Sequence, residues 1–299
     1  MNIIYSPHLF GLKQNSLDSL FVPLSFASVK RSNPNSNIVF LDINKNIDIK
    51  YKSIDSVSCQ NWSIPDLDTL NRNYVHLSTN SKEFELFCIS RFFYIREWMR
   101  KTSTKSTFII ETDVLLLRSL HEIIDSDIFS GYASLSEKKC ISFGWITEEY
   151  VENYCDYVNK IYSTPSLISS LQTSHAAYLE KGGKGGICDM SFCDYINRGV
   201  HGADKKYTAN DASKLIVDGD KNSFFDSFIG RESLQGFPEL KFNMTKSKYD
   251  GKSIKDIEFE NSECFVNSNQ GKIRMNSIHC QGNAKLLMSD YYLSWSENL

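Results

Sequence analysis

The chain begins with a short apolar run, "NIIYS" at 2–6, and a second, "NIVFLDI", follows at 37–43. Between them Leu17, Leu20, Phe21, Leu24 and Val29 fall near the spacing of one helix face, so 17–31 is predicted helical. "RSNPNS" ends that helix with Pro and Asn. The opening therefore reads as β–α–β, with its two strands parallel in an α/β sheet. Residues 44–80 are polar and loop-like, and "YVHLS" at 74–78 is the best strand candidate there. From Lys82 to Lys101 the period changes. Phe84, Phe87, Cys88, Phe92, Ile95 and Met99 form an apolar stripe that predicts a long helix. "TSTKS" then separates it from the strand "TFIIE", a second crossover into a buried parallel strand.

"HEIIDSDIFSGYASL" predicts a short helix and a return strand ending near Leu135. "TEEYVENYCDYVNKIY", 147–162, is an amphipathic helix with Thr147 as N-cap and acids in its first turn. "EKGGKGGICDMSFCDYINRGV" is a glycine-rich loop entering another helix near Asp189. Short strands are expected around 214–217, 224–229 and 257–259, between polar turns such as "SKYDGKS" and "NSNQGK". "IRMNSIHCQGNAKLLMSDYYL" closes the chain as strand, turn and helix. Neither a repeat nor a low-complexity segment is visible, so one α/β domain is the simplest expectation.

Composition narrows the class. The 299 residues are 41% hydrophobic and 13% aromatic, enough for a substantial core. A net charge of −3 argues against nonspecific nucleic-acid binding, which needs a basic excess, but leaves a small nucleotide ligand open. No apolar run reaches the ~18–20 residues of a transmembrane segment. "MNIIYSPHLFGL" lacks the pattern of a secretion signal, so a soluble, cytoplasmic protein is expected. The eight cysteines form no CxxC pair and fit reduced thiols better than a zinc site.

Candidate chemistry begins at "FIIETDVLLL", 108–117, where Glu111 and Asp113 interrupt an apolar stretch. Carboxylates there are costly unless paired, bound to a metal, or placed where the strand ends. Open parallel sheets bind ligands beyond the carboxyl ends of their strands. Side chains two apart in extended backbone share a side, so these two acids can hold a hard divalent cation that bridges phosphates. A surface turn explains a lone E-x-D equally well. "IHCQGNAK", 278–285, adds His279 as an imidazole ligand, Gly282 for close backbone approach to a phosphate, and Lys285 as a point charge. An exposed turn is the alternative for that stretch. Asp42 ends "IVFLD" and is a candidate for the nucleoside side, or simply a turn residue. Asp189 at a helix start serves either as a cap or as a ligand contact. The glycine loop before it lacks the G-K-[ST] of a phosphate-binding loop, and no G-x-S-x-G elbow is present. His8, His76, His121, His175 and His201 follow no nucleophile pattern. Trp62, Trp145 and Tyr178 are candidates for stacking on sugars, with core packing the ordinary alternative.

"FIIETDVLLLRSL" together with "HCQGNAK" resembles the metal and diphosphate site of GT-A-fold glycosyltransferases, particularly glycogenin-like, family 8-type enzymes. Arg91, in "CISRFFYIREWM", sits where that fold places a basic residue facing the donor. The resemblance implies a single GT-A, Rossmann-like α/β domain over 1–299, with a mostly parallel central sheet flanked by helices. Residues 1–135 would be its nucleotide-binding half and 136–299 its acceptor-side half. It implies a Mn²⁺- or Mg²⁺-dependent transfer from a nucleotide sugar, a UDP-sugar by the same pattern, to a hydroxyl of a glycan or glycoconjugate. Asp113 and His279 would then ligate the metal, with Glu111 in place of the usual first Asp of D-x-D. Arg91, Lys285, Gly282 and Asp42 would lie on the donor side. Asp189 would be the catalytic base of an inverting enzyme or the donor-sugar contact of a retaining one. Two rivals remain at this stage. One is a noncatalytic nucleotide- or sugar-binding module of the same fold. The other is a nucleotidyltransferase, disfavoured because "SPHLFGLKQNS" holds one glycine and one lysine.

Overall fold

Ile3, Ile4 and Tyr5 are all buried but serve two cores: Ile3 and Tyr5 enter one, Ile4 the other. The same alternation separates Ile38 and Phe40 from Val39 and Leu41, and Phe108 and Ile110 from Ile109. A strand covered on both faces has no side to leave polar, which is why these runs are apolar without interruption. The computed structural model describes residues 1–6, 21–43, 54–124, 127–218, 221–234 and 237–297. In it these runs belong to β1 (Asn2–Tyr5), β2 (Asn37–Asp42) and β4 (Ser106–Ile110), which together with the more exposed β3 (Asp55–Ser58) are mutually parallel. After β4 the chain leaves this sheet as β5 (Val114–Leu116). β6 (Ala133–Ser136), β7 (Cys140–Thr147) and β8 (Ala209–Asp211) complete it in the order β3-β2-β1-β4-β7-β6-β8. Only β7 runs antiparallel to its neighbours.

Helix α1 (Phe21–Ser32) covers one face of the sheet. α2 (Pro65–Asn73), α3 (Lys82–Thr102), α4 (Glu148–Ser163), α5 (Pro165–Glu180) and α6 (Asp189–Arg198) contribute to the core on the other. The result is a mixed α/β architecture with a mostly parallel central sheet flanked by helices. Capping fixes where the long helices begin. Ser81 accepts a hydrogen bond from the Phe84 N–H at the start of α3, and Thr147 accepts one from Tyr150 at the start of α4.

A second sheet packs on the α1 side. It follows from β9 (Ile216–Asp218), β10 (Lys221–Phe225), β11 (Ser233–Leu234), β12 (Phe237–Lys241), β13 (Met244–Lys246) and β14 (Ser253–Lys255), then β15 (Ile257–Glu260), β16 (Glu263–Ser268) and β17 (Gly271–His279). Its order is β15-β16-β17-β10-β9, with β5 on β17, while β11–β12 and β13–β14 form separate two-stranded ribbons. α7 (Met288–Glu297) closes the described chain, its Met288 and Trp295 in the same core. Among the described residues no helix is long and apolar enough to cross a membrane.

Three differences from the sequence expectations have physical reasons. Residues 74–78 form no strand, and only Ser78 makes an isolated bridge, to Gly186. The polar stretch before them holds α2, begun by Pro65, with Asp66 and Asp68 in its first turn and only Leu67 and Leu70 buried. α5 carried no helix prediction because its single fully buried residue is Leu171, so it has almost no apolar stripe. The predicted first helix begins at Phe21 as described. Its proposed first turn, 17–20, lies outside the described residues, as does His8.

β6 and β7 approach closely at Gly144, where a Cβ would lie 2.7 Å from the Ser134 carbonyl oxygen and 2.8 Å from Leu135 Cδ2. Gly144→Ala is expected to destabilise the protein by about 1–3 kcal/mol through overpacking. Denaturant unfolding measures it, and an unchanged midpoint would disprove the tight approach.

Candidate functional site

The parallel strand β4 ends at Ile110, and Glu111–Asp113 form a turn in which the Val114 N–H bonds the Glu111 carbonyl at 3.2 Å. The Glu111 N–H is held by the Ser142 carbonyl at 2.9 Å. β5 then pairs antiparallel with the end of β17, with Val114 opposite His279. The Cys280 N–H donates to the Asp113 carbonyl at 2.8 Å, so the two candidate motifs are joined through their backbones. α1 satisfies the other side of β5: Ser25 Oγ donates to the Val114 carbonyl at 2.7 Å, and Ser28 Oγ accepts from the Leu116 N–H at 3.0 Å.

This brings Glu111, Asp113 and His279 together, with one ligand atom from each within 4.8 Å of the others. Asp113 and His279 are buried, while the Glu111 side chain is 28% exposed. Lys285 approaches Asp113 Oδ2 to 3.3 Å. His279 Nδ1 lies 2.6 Å from the Ser227 carbonyl, which can only accept, so Nδ1 carries a proton and Nε2 faces Asp113 Oδ1 at 3.5 Å. Neither His279 Nε2 nor Asp113 Oδ1 has a hydrogen-bond partner among the described residues. Burial opposes charge on both groups, but each holds the other ionised. The imidazole rises to about 9 beside the Asp113 carboxylate, and the carboxyl falls to about 2 beside His279 and Lys285.

Two carboxylates and one imidazole, with two buried atoms that face each other without a hydrogen bond, fit a divalent cation of the Mn²⁺ or Mg²⁺ type. A cation would supply the positive charge that a proton on His279 otherwise provides, so its binding would displace that proton.

The backbone beneath His279 was not anticipated from sequence. Asp226 Oδ2 accepts the His279 N–H at 3.1 Å, and Lys255 Nζ donates to Asp226 Oδ1 at 2.9 Å. Both ionic side chains are about 1% exposed. Lys255 also donates to the Phe228 carbonyl at 2.6 Å, so 226–228 is a rigid cradle for the imidazole. "SFFDSF", 223–228, repeats the pattern of "FIIETD", an apolar strand stopped by an acid, and that was the available signal.

Arg91 projects from α3 and is buried. Its Nη1 donates to Glu111 Oε1 at 2.7 Å, and its Nε and Nη2 both donate to Asp189 Oδ2. Three of its five N–H groups are thus used on two acids, leaving two for a ligand. Asp189 is the first residue of α6, and its Oδ1 accepts the Met190 N–H at 2.9 Å. The glycine-rich approach to this helix is stitched back to the start of α3, with the Ile187 N–H on the Leu77 carbonyl at 2.8 Å.

Arg91, Glu111, Asp113, Asp189, His279 and Lys285 all line one cavity of about 400 Å³. A second cavity of about 450 Å³ adjoins it and shares Asn80, Glu85, Cys188 and Met190 with it. Gly282 is not in the wall. Its φ of +64° is the reason for glycine there, and a Cβ would meet open space. Asp42 ends β2 on the same edge of the central sheet but lines neither cavity. Of the three aromatic candidates, only Tyr178 reaches the cleft, in the second cavity. Trp62 packs near Tyr94, and Trp145 lies against the α1-side core. All eight cysteines are free. Burial pushes the two half-buried thiols at the cavities, Cys140 and Cys188, up to about 12, and raises the other six as well.

No protein-family model and no curated protein sequence matches the chain. Among solved structures it is similar to the galactosyltransferase LgtC in complex with donor and acceptor sugar analogues. That likeness has 12% identity over 65% of this chain and 69% of that one, with a TM-score of 0.35. It is similar to mouse xyloside xylosyltransferase 1 at 9% identity over 68% and 82% of the two chains, TM-score 0.39. It is also similar to the glycosyltransferase GlyE of Streptococcus pneumoniae TIGR4 at 11% identity and TM-score 0.33, covering 71% of this chain and 45% of that one.

Lys255→Met leaves the buried Asp226 carboxylate without its cation. The expected cost is about 3–5 kcal/mol of global stability, read by chemical denaturation. A loss within experimental error would mean that the pair is not what holds the His279 cradle.

Proposed function

We propose that the chain is a GT-A-type glycosyltransferase that moves a sugar from a nucleotide-sugar donor, a UDP-sugar, to a hydroxyl of a glycan or glycoconjugate. The observation that carries this is the convergence of Asp113, His279 and Lys285, with two unpaired buried ligand atoms, at the wall of a cavity beyond the end of a parallel strand. The reading takes 1–299 as one domain, with the nucleotide side in 1–135 and the acceptor side in 136–299.

Asp113 and His279 would hold the Mn²⁺ or Mg²⁺ ion, with Glu111 in support. When bound, the ion neutralises charge growing on the departing diphosphate. Lys285 adds a fixed positive charge on the same side of the cavity, aimed at the phosphates. Arg91 holds Glu111 and Asp189 in place and keeps two N–H groups for the donor. Arg91 occupies Asp189 Oδ2, while Oδ1 accepts only the Met190 N–H and keeps a lone pair, with which Asp189 serves as the base of an inverting transfer or the donor-sugar contact of a retaining one. Gly282, in the turn after β17, and Asp42, at the end of β2, lie outside both cavity walls, so this reading gives neither a direct contact with the donor.

A thermal-shift screen of nucleoside diphosphates and nucleotide sugars, with and without Mn²⁺, tests the reading. Stabilisation by one nucleotide that requires the cation is expected. Asp113→Asn should abolish cation-dependent turnover of the nucleotide sugar while the far-UV spectrum and unfolding midpoint stay near wild type. Wild-type turnover that survives EDTA would remove the metal from the mechanism.

A further inference from the structure

Glu85 is a buried acid that the site described above does not use. It lies in the first turn of α3, 1% exposed, its N–H on the Ser81 carbonyl at 3.2 Å. Its Oε1 accepts from Ser78 Oγ and from Asn80 Nδ2, each at 2.7 Å. Its Oε2 is buried and has no hydrogen-bond partner, and no Lys, Arg or His pairs with it among the described residues. An orphaned carboxylate oxygen is costly, and a protein retains one where a ligand completes it. Glu85 lines both cavities at the place where they join. Toward one side lie Asp113 and Lys285, and toward the other lies the second cavity with Tyr178 and Lys184.

We propose that Glu85 Oε2 accepts a hydrogen bond from a ring hydroxyl of the acceptor sugar, making Glu85 a specificity-determining residue at the seam between donor and acceptor cavities. A hydroxyl is the class of group that fits. It donates one hydrogen bond, needs no counter-ion, and sits on a neutral ring that can span two adjoining chambers. Ser78 and Asn80 hold the carboxylate from behind, so its free oxygen is presented at a fixed position. The proposal rests on the glycosyltransferase reading above.

Glu85→Gln separates the alternatives. Both anchors of Oε1 are donors, so the amide oxygen turns toward Ser78 and Asn80 and the NH₂ takes the place of Oε2. The anchor survives while the unbonded atom changes from acceptor to donor. Hydrolysis of UDP-glucose, UDP-galactose and UDP-xylose without acceptor, and transfer to a panel of methyl glycosides, are measured for both proteins. Expected is a fall in kcat/KM for the acceptor of about tenfold to a hundredfold, with donor hydrolysis and donor KM unchanged. A deoxy series of the best glycoside, run on the wild type, should find one hydroxyl whose removal costs a similar factor. Removing that hydroxyl should cost nothing further in the variant. Unchanged acceptor kinetics in Glu85→Gln, or a deoxy series with no sensitive position, overturns the proposal and leaves the transferase reading standing. A parallel loss of hydrolysis also overturns it, because Glu85 would then serve the donor. If the wild type neither hydrolyses nor transfers any of the three donors, the transferase reading falls and takes this inference with it.

Discussion

The short antiparallel ladder between β5 and β17 is the constraint on which the site depends. Three residue pairs, ending at Val114 opposite His279, bind the middle of the chain to its C-terminal region. The ladder continues one bond further, from Cys280 to the Asp113 carbonyl, so the acid and the imidazole are set by backbone hydrogen bonds before their side chains interact. β5 is only three residues long and would be a weak strand alone. It persists because Ser25 and Ser28 of α1 satisfy the backbone groups that β17 does not reach. An element of the first crossover therefore helps to place a candidate metal ligand.

Charge balance is the second layer. Arg91 lies between Glu111 and Asp189, and Lys255 lies against Asp226 below His279. Each cation is buried with acids that would otherwise be unpaired, and each joins elements that do not pair directly: α3 with the β4 turn and α6, β14 with the end of β10. Such pairs add little net stability relative to an apolar core, but they penalise any misplacement of the groups they join. That suits a cavity wall whose polar atoms must stay aimed at a ligand.

The sequence was most informative where one feature dominated. Buried parallel strands announced themselves as unbroken apolar runs, α3 and α4 by their stripes and caps, and the strand-end acids by their cost. It was least informative where structure is made by neighbours. α2 and α5 bury few residues and carry faint periodicity. Tyr74 and Val75 look like strand residues because they are apolar, yet no strand lies beside them. Asp226 and Lys255 are meaningless apart, since what matters is that β10 and β14 bring them within 2.9 Å. Glu85 likewise reads as an ordinary first-turn acid on α3, and only its enclosure between two cavities separates it from Glu83.

The eight thiols bear on how the molecule withstands its surroundings. Reaction with peroxide or alkylating agents runs through the thiolate, and burial suppresses that form at every cysteine, including Cys88, Cys140 and Cys188 beside the cleft. The cysteines are thus held as neutral thiols, the form least reactive toward such agents.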